Sequence, residues 1–148
     1  MPSTHTSLYY HIVFSTKDRV PSIDASWRPR LHALLGGAVR NLGGVALEVG
    51  GVADHVHILA GLKATHCVAE VLREIKKGSS AWVHGSLGKE RFAWQEGYGA
   101  FTISRAGCST VAAYIRNQEE HHRKRSFQEE YREFLEEHGI EFDERYLW

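Results

Sequence analysis

At 148 residues with 43% hydrophobic content, the chain is long enough for one domain with its own core and too short for two ordinary ones, so residues 1–148 are read as a single domain. Lys plus Arg and Asp plus Glu both number 18, a formal net charge of zero, which argues against the overall basic footprint usual in nucleic-acid binders. Two cysteines, Cys67 and Cys108, form no C-x-x-C pair, so neither a disulfide framework nor a cysteine zinc site is indicated, and both are read as small buried apolar residues.

The start, Met1-Pro2-Ser3-Thr4-His5, lacks the basic and then apolar pattern of a signal peptide, and no apolar stretch nears the roughly 18 residues of a membrane helix. A cytoplasmic protein without a membrane partner is expected. Charge is unevenly spread. Residues 63–105 hold seven Lys/Arg against four Glu, and His121-His122-Arg123-Lys124-Arg125 adds a dense basic cluster. Residues 129–148 hold eight acids and two arginines, read as a solvated helix face.

Leu8 to Phe14, rich in aromatic and β-branched residues, predicts a first strand that ends before Pro21. Leu31, Leu34, Leu35, Ala38, Val39 and Leu42 then form one apolar helical stripe, stopped by Gly43-Gly44. Val45 to Val52 and His55 to Leu62 predict an antiparallel hairpin around Ala53-Asp54. Thr65 is the expected cap of a second helix with Val68, Val71, Leu72 and Ile75 on its apolar side, continuing toward Trp82. Phe92 to Trp94 and Ala100 to Ile103 predict a fourth strand region interrupted by Gln95–Gly99. A third helix is expected from about Ser109 to His122. A capping box, Ser126-Phe127-Gln128-Glu129, opens the last, whose apolar face is Phe127, Tyr131, Phe134, Leu135 and His138. The order β-α-β-β-α-β, then helices, predicts an α+β ferredoxin-like or RRM-like sandwich. Its antiparallel sheet would carry helices on one face, followed by a tyrosine-bearing helix and a terminal helix.

In His55-Val56-His57 the two imidazoles share one face of a strand, because side chains alternate. That is a two-histidine metal claw. Tyr114 and Gln118, four apart on a helix, present a phenol and a carboxamide side by side, a candidate nucleophile and a third oxygen ligand. A chance pair among ten histidines and a core tyrosine are the structural alternatives. Candidate phosphate contacts are Lys17, Arg19, Arg73, Lys76, Lys77, Arg116, Arg123, Lys124 and Arg125. Trp94 and Tyr98 are candidate stacking platforms for bases or else sheet core, Phe101 is read as core, and His11 as a packed residue.

Asp54-His55-Val56-His57-Ile58-Leu59, Trp94 to Phe101, Tyr114 to His122 and the closing Tyr146-Leu147-Trp148 together resemble the small HUH single-tyrosine transposases of bacterial single-strand insertion sequences. The resemblance spans nearly the whole chain. It implies a transposase that cleaves and rejoins single-stranded DNA at hairpin-bearing element ends through a 5′-phosphotyrosine. It also implies Tyr114 as nucleophile and His55, His57 and Gln118 as ligands of Mg²⁺ or Mn²⁺, although two imidazoles would also suit zinc or nickel. The same resemblance implies a homodimer whose sites pair the histidines of one subunit with the tyrosine helix of the other. The rival readings are a relative that binds hairpins without transposing, and a metal-dependent hydrolase in which Tyr114 is structural.

Overall fold

The computed structural model describes residues 3–147. Met1, Pro2 and Trp148, which belong to the start and the closing motif read above, lie outside the described residues. Strands β1 (Tyr9–Ser15), β2 (Val45–Gly51), β3 (His55–Gly61) and β4 (Gly99–Ile103) form one sheet in the order β2-β3-β1-β4, with every neighbouring pair antiparallel. With α1 (Arg28–Asn41) between β1 and β2 and α2 (Val68–Leu87) between β3 and β4, this is the expected α+β ferredoxin-like order.

Alternation in the two central strands sorts the core. Ile12 and Phe14 of β1 and Val56, Ile58 and Ala60 of β3 pack with Leu31, Leu35 and Val39 of α1 and Val71, Leu72 and Ile75 of α2. The opposite face carries His11 and Val13 beside His55, His57 and Leu59. Because β3 is covered on both sides, six of its seven residues are buried, and the apolar run that reads as a strand in the sequence is a central one.

The second face is closed by the chain after β4. Helix α3 (Cys108–Arg116), a single turn α4 (Gln118–His121) and α5 (Phe127–Glu137) cross it. Cys108 and Ile115 pack on Leu59, while Phe127, Tyr131 and Leu135 pack on Val13 and Phe101. The N-cap half of the expected capping box is present at α5, where the Ser126 side chain accepts from the Glu129 amide at 3.2 Å. Three large apolar side chains buried by α5 contribute about 1.5–3 kcal/mol each, enough to hold this helix, and whatever polar groups it carries, against the sheet.

Several local expectations differ from the structure. Phe92 to Trp94 is not a strand: apart from one bridge between Trp94 and Thr16, it is a loop that inserts Phe92 and Trp94 into the core. Thr65 does not cap α2, which starts at Val68 with Cys67 at its N-cap and no side-chain cap bond. The helix expected over 109–122 is broken at Asn117, whose amide is shared between the carbonyls of Ala113 and Tyr114. Asn competes for backbone bonds and so disfavours helix interiors, and the break turns α4 toward the sheet.

Gly50, paired with His57 in the β2–β3 register, lets α3 approach the sheet. A Cβ there would lie 2.5 Å from the Ile115 carbonyl oxygen. Gly50→Ala is therefore expected to displace α3 and to lower stability by about 1–3 kcal/mol, the usual cost of overpacking. Urea denaturation checks this, and an unchanged midpoint would show that α3 does not dock as described.

Candidate active site

Two neighbouring strands and the last helix bring a cluster of polar side chains to the second face of the sheet. His55 and His57 are fully buried on β3, and Glu130 on α5 is 1% exposed. The Glu130 carboxylate lies 3.0 Å from His57 Nε2 and 3.5 Å from His55 Nε2. On its other side it lies 3.0 Å from His121 Nε2 and 3.3 Å from His122 Nε2, and it accepts a hydrogen bond from the Tyr114 hydroxyl. The Tyr114 ring stands edge-on to His57 with centroids 5.8 Å apart.

Gln118 belongs to the same cluster. Its Oε1 is 3.3 Å from His55 Nε2 and 2.9 Å from His122 Nε2, and the residue is 1% exposed. The sequence-derived quartet His55, His57, Tyr114 and Gln118 therefore converges, although the β3 histidines are 57 or more positions from Tyr114 and Gln118 in the chain. One donor atom from each of His55, His57, His122 and Glu130 lies within 4.8 Å of the others. Such a set fits a single divalent ion, as the chemistry of imidazole and carboxylate donors requires.

Each β3 histidine is oriented from behind. His55 Nδ1 meets Asp54 Oδ1 at 2.7 Å, and His57 Nδ1 meets His11 Nε2 at 2.8 Å. His11, read as packed from the sequence, is packed, and it also steers His57. These partners leave the Nε2 atoms facing inward, the arrangement that prepares imidazoles for a metal.

Burial pushes His57 down to about 4, outweighing the Glu130 carboxylate beside it, so the ring is neutral near pH 7. Burial also opposes charge on His55, but the Asp54 and Glu130 carboxylates outweigh it and hold this histidine above its ordinary value. For Glu130 burial opposes ionisation, yet hydrogen bonds with His122, His55 and His57 keep the carboxyl far below the usual carboxylate range. Burial and the nearby Glu130 charge push the Tyr114 phenol above its ordinary value. The cluster thus holds a buried anion beside a neutral phenol.

Glu130 and His122 are the residues that sequence reasoning missed. Glu130 sits in an acidic stretch whose composition predicts a solvated face, but it falls three residues after Phe127 and four before Phe134, within the apolar stripe of α5. A carboxylate inside such a stripe was the available signal. His122 follows Tyr114 and Gln118 by eight and four residues, a helical spacing that placed it on the same side.

The basic residues are scattered. Lys17, Arg73, Lys77 and Lys124 are exposed, with Arg73 3.9 Å from Glu74. Lys76 donates to the carbonyls of Gln95, Glu96 and Gly97 at 2.6–3.2 Å, so its ammonium holds the 95–97 loop. Arg19 reaches the Gln128 carboxamide of α5. Arg116 pairs with Glu48 at 2.9 Å, Arg123 with Glu120 at 3.0 Å, and Arg125 with Glu133. Trp94 is 8% exposed and donates its indole N–H to Ser79, which makes it core instead of a platform; Phe101 is core as expected. Tyr98 is half-buried and lines a surface groove with Lys17, Gln95, Tyr131 and Tyr146. No described helix is long and apolar enough to cross a membrane.

The same fold occurs in solved structures of transposases. A candidate transposase from Deinococcus radiodurans R1 aligns with a TM-score of 0.64 at 20% identity, over 80% of this chain and 95% of that one. A REP-associated tyrosine transposase bound to a REP hairpin aligns with a TM-score of 0.56 at 15% identity, over 79% of this chain and 72% of that one. No curated protein matches the chain. Residues 4–118 match the family described as "Transposase IS200 like". The chain belongs to this family of transposases, enzymes that act on DNA.

Proposed function

We propose that this transposase cleaves and rejoins single-stranded DNA at insertion-sequence ends folded as hairpins, with Tyr114 as nucleophile. The observation that carries the reading is the Tyr114 hydroxyl held against the His55, His57 and Glu130 cluster on the sheet. In the cleavage step the phenolic oxygen forms a bond to phosphorus, the bond from phosphorus to the 3′ oxygen breaks, and the phenolic proton is balanced by the proton gained by the released 3′-hydroxyl. The 5′-phosphotyrosine conserves the energy of the broken bond, so a 3′-hydroxyl can later attack it and restore a phosphodiester without ATP.

A divalent ion held by His55 and His57, with the Gln118 oxygen close by, would place positive charge on the non-bridging phosphate oxygens. Mg²⁺ and Mn²⁺ are the ions that the family resemblance implies. The chain's own residues do the rest: β3 fixes the imidazoles, α3 presents the phenol, and Asp54 and His11 set the ring orientations. The groove lined by Lys17, Tyr98 and Tyr146 suits an unpaired strand, whose bases can stack on phenol rings. The hairpin-bound relative supports folded single strands as the substrate class.

Incubating the protein and Mn²⁺ with labelled single-stranded hairpin ends is expected to yield a protein–DNA band that survives SDS, while the annealed duplex yields none. Cleavage without an adduct would favour the hydrolase reading, hairpin binding without cleavage would favour a non-transposing relative, and efficient duplex cutting would refute single-strand specificity.

We also propose a homodimer with exchanged active sites. In the single chain Tyr114 faces its own histidines, and the segment from Gly107 onward could dock in the same way on a partner's sheet. Mixing inactive His57→Ala and Tyr114→Phe chains is expected to restore cleavage; failure despite proven heterodimers would assign the site to one chain.

A further inference from the structure

A carboxylate removed from water requires a compensating cation or dense hydrogen bonding, and Glu130 has no lysine or arginine among its partners in the described residues. It has four histidines and a phenol instead. Three of those histidines share a further property. His55 is engaged at Nδ1 by Asp54, His57 by His11, and His122 by the Arg125 carbonyl at 2.7 Å. All three therefore turn Nε2 toward Glu130, the disposition that outer partners impose on metal-bound imidazoles. Their spread, within 4.8 Å, is close to the edges of about 3–4.4 Å in a coordination shell with bonds of about 2.0–2.2 Å.

We propose that Glu130 and His122 are metal ligands, so that the ion of the proposed reaction is held by three imidazoles and one carboxylate, and that this set selects a borderline transition ion such as Co²⁺ or Zn²⁺ over Mg²⁺. Magnesium takes oxygen donors and keeps its waters, whereas imidazole favours the later first-row ions. Gln118 contributes less, because a neutral carboxamide oxygen competes with a carboxylate for the same cation. The proposal rests on the reading of His55 and His57 as a metal claw, and it changes what completes that claw.

Metal binding, independent of DNA cleavage, tests it. Metal-free full-length protein is titrated with Mn²⁺, Zn²⁺ or Mg²⁺ against a fluorescent chelator, and with Co²⁺ while its visible absorption is recorded. Wild type is expected to bind Zn²⁺ at least about 100-fold more tightly than Mg²⁺, with Mn²⁺ between them, and to give the intense Co²⁺ bands of a low-coordinate nitrogen-rich site. Glu130→Gln and His122→Gln are each expected to weaken binding by about tenfold or more, and Gln118→Ala by less than about threefold. Wild-type affinity in Glu130→Gln and His122→Gln, with binding lost in His55→Ala, would overturn the proposal and leave the histidine claw intact. Retained binding in His55→Ala would instead overturn the claw itself. Circular dichroism checks each variant's fold. Should Glu130→Gln not fold, His122→Gln and the wild-type Co²⁺ spectrum decide, a weak octahedral spectrum counting against the proposal.

Discussion

Tyr114→Phe is expected to bind single-stranded hairpin DNA as tightly as wild type and to form no covalent adduct. The substitution removes one oxygen atom and keeps the ring that stands against His57, so neither the sheet nor the groove changes. Cleavage should fall by on the order of 10⁴ or more, the scale of losing a covalent nucleophile. Glu130 loses one hydrogen-bond donor but keeps its histidine partners, so the stability cost should stay within about 1–2 kcal/mol. Denaturing gels with end-labelled DNA measure the adduct, and filter binding measures affinity. An SDS-resistant band in the mutant would assign the nucleophile to another residue.

His57→Gln is expected to abolish metal-dependent cleavage with the fold retained. Gln is the informative replacement: His57 is fully buried between His11 and Glu130, and alanine would remove the hydrogen-bond partner of His11 Nε2 and one of several partners of Glu130 and open a cavity, at a cost of about 2–5 kcal/mol. His55→Gln should behave alike, although it also strands Asp54, which meets its Nδ1. EDTA should reproduce both losses in wild type, and added Mn²⁺ should reverse the chelator's effect but not the mutations. Full activity in excess EDTA would remove the metal from the mechanism.

Local periodicity carried much of this protein. Alternation in His55-Val56-His57 placed both imidazoles on one face before any fold was known, because a pleated strand permits nothing else. The stripe from Leu31 to Leu42 and the capping box at Ser126 likewise predicted α1 and the start of α5. Composition and pattern failed where a residue's role depends on a distant surface. Phe92 to Trp94 has strand composition, yet the core on the far side of the sheet claims both aromatics. The helix over 109–122 has good spacing, yet Asn117 breaks it and turns Gln118 and His122 inward.

The chain by itself determined the order of strands and helices, the paired histidines on β3 and the face of α3 that carries Tyr114, since each follows from a repeat of two or 3.6 residues. Only the tertiary structure decided which groups meet those histidines. Glu130 is 73 residues from His57 in sequence and reaches it because Phe127, Tyr131 and Leu135 dock α5 on Val13 and Phe101. Hydrophobic burial is itself non-directional, but once those three side chains are docked the helix geometry fixes where Glu130 lies. The helix carries a carboxylate into the interior, where the histidines, and not solvent, decide its chemistry.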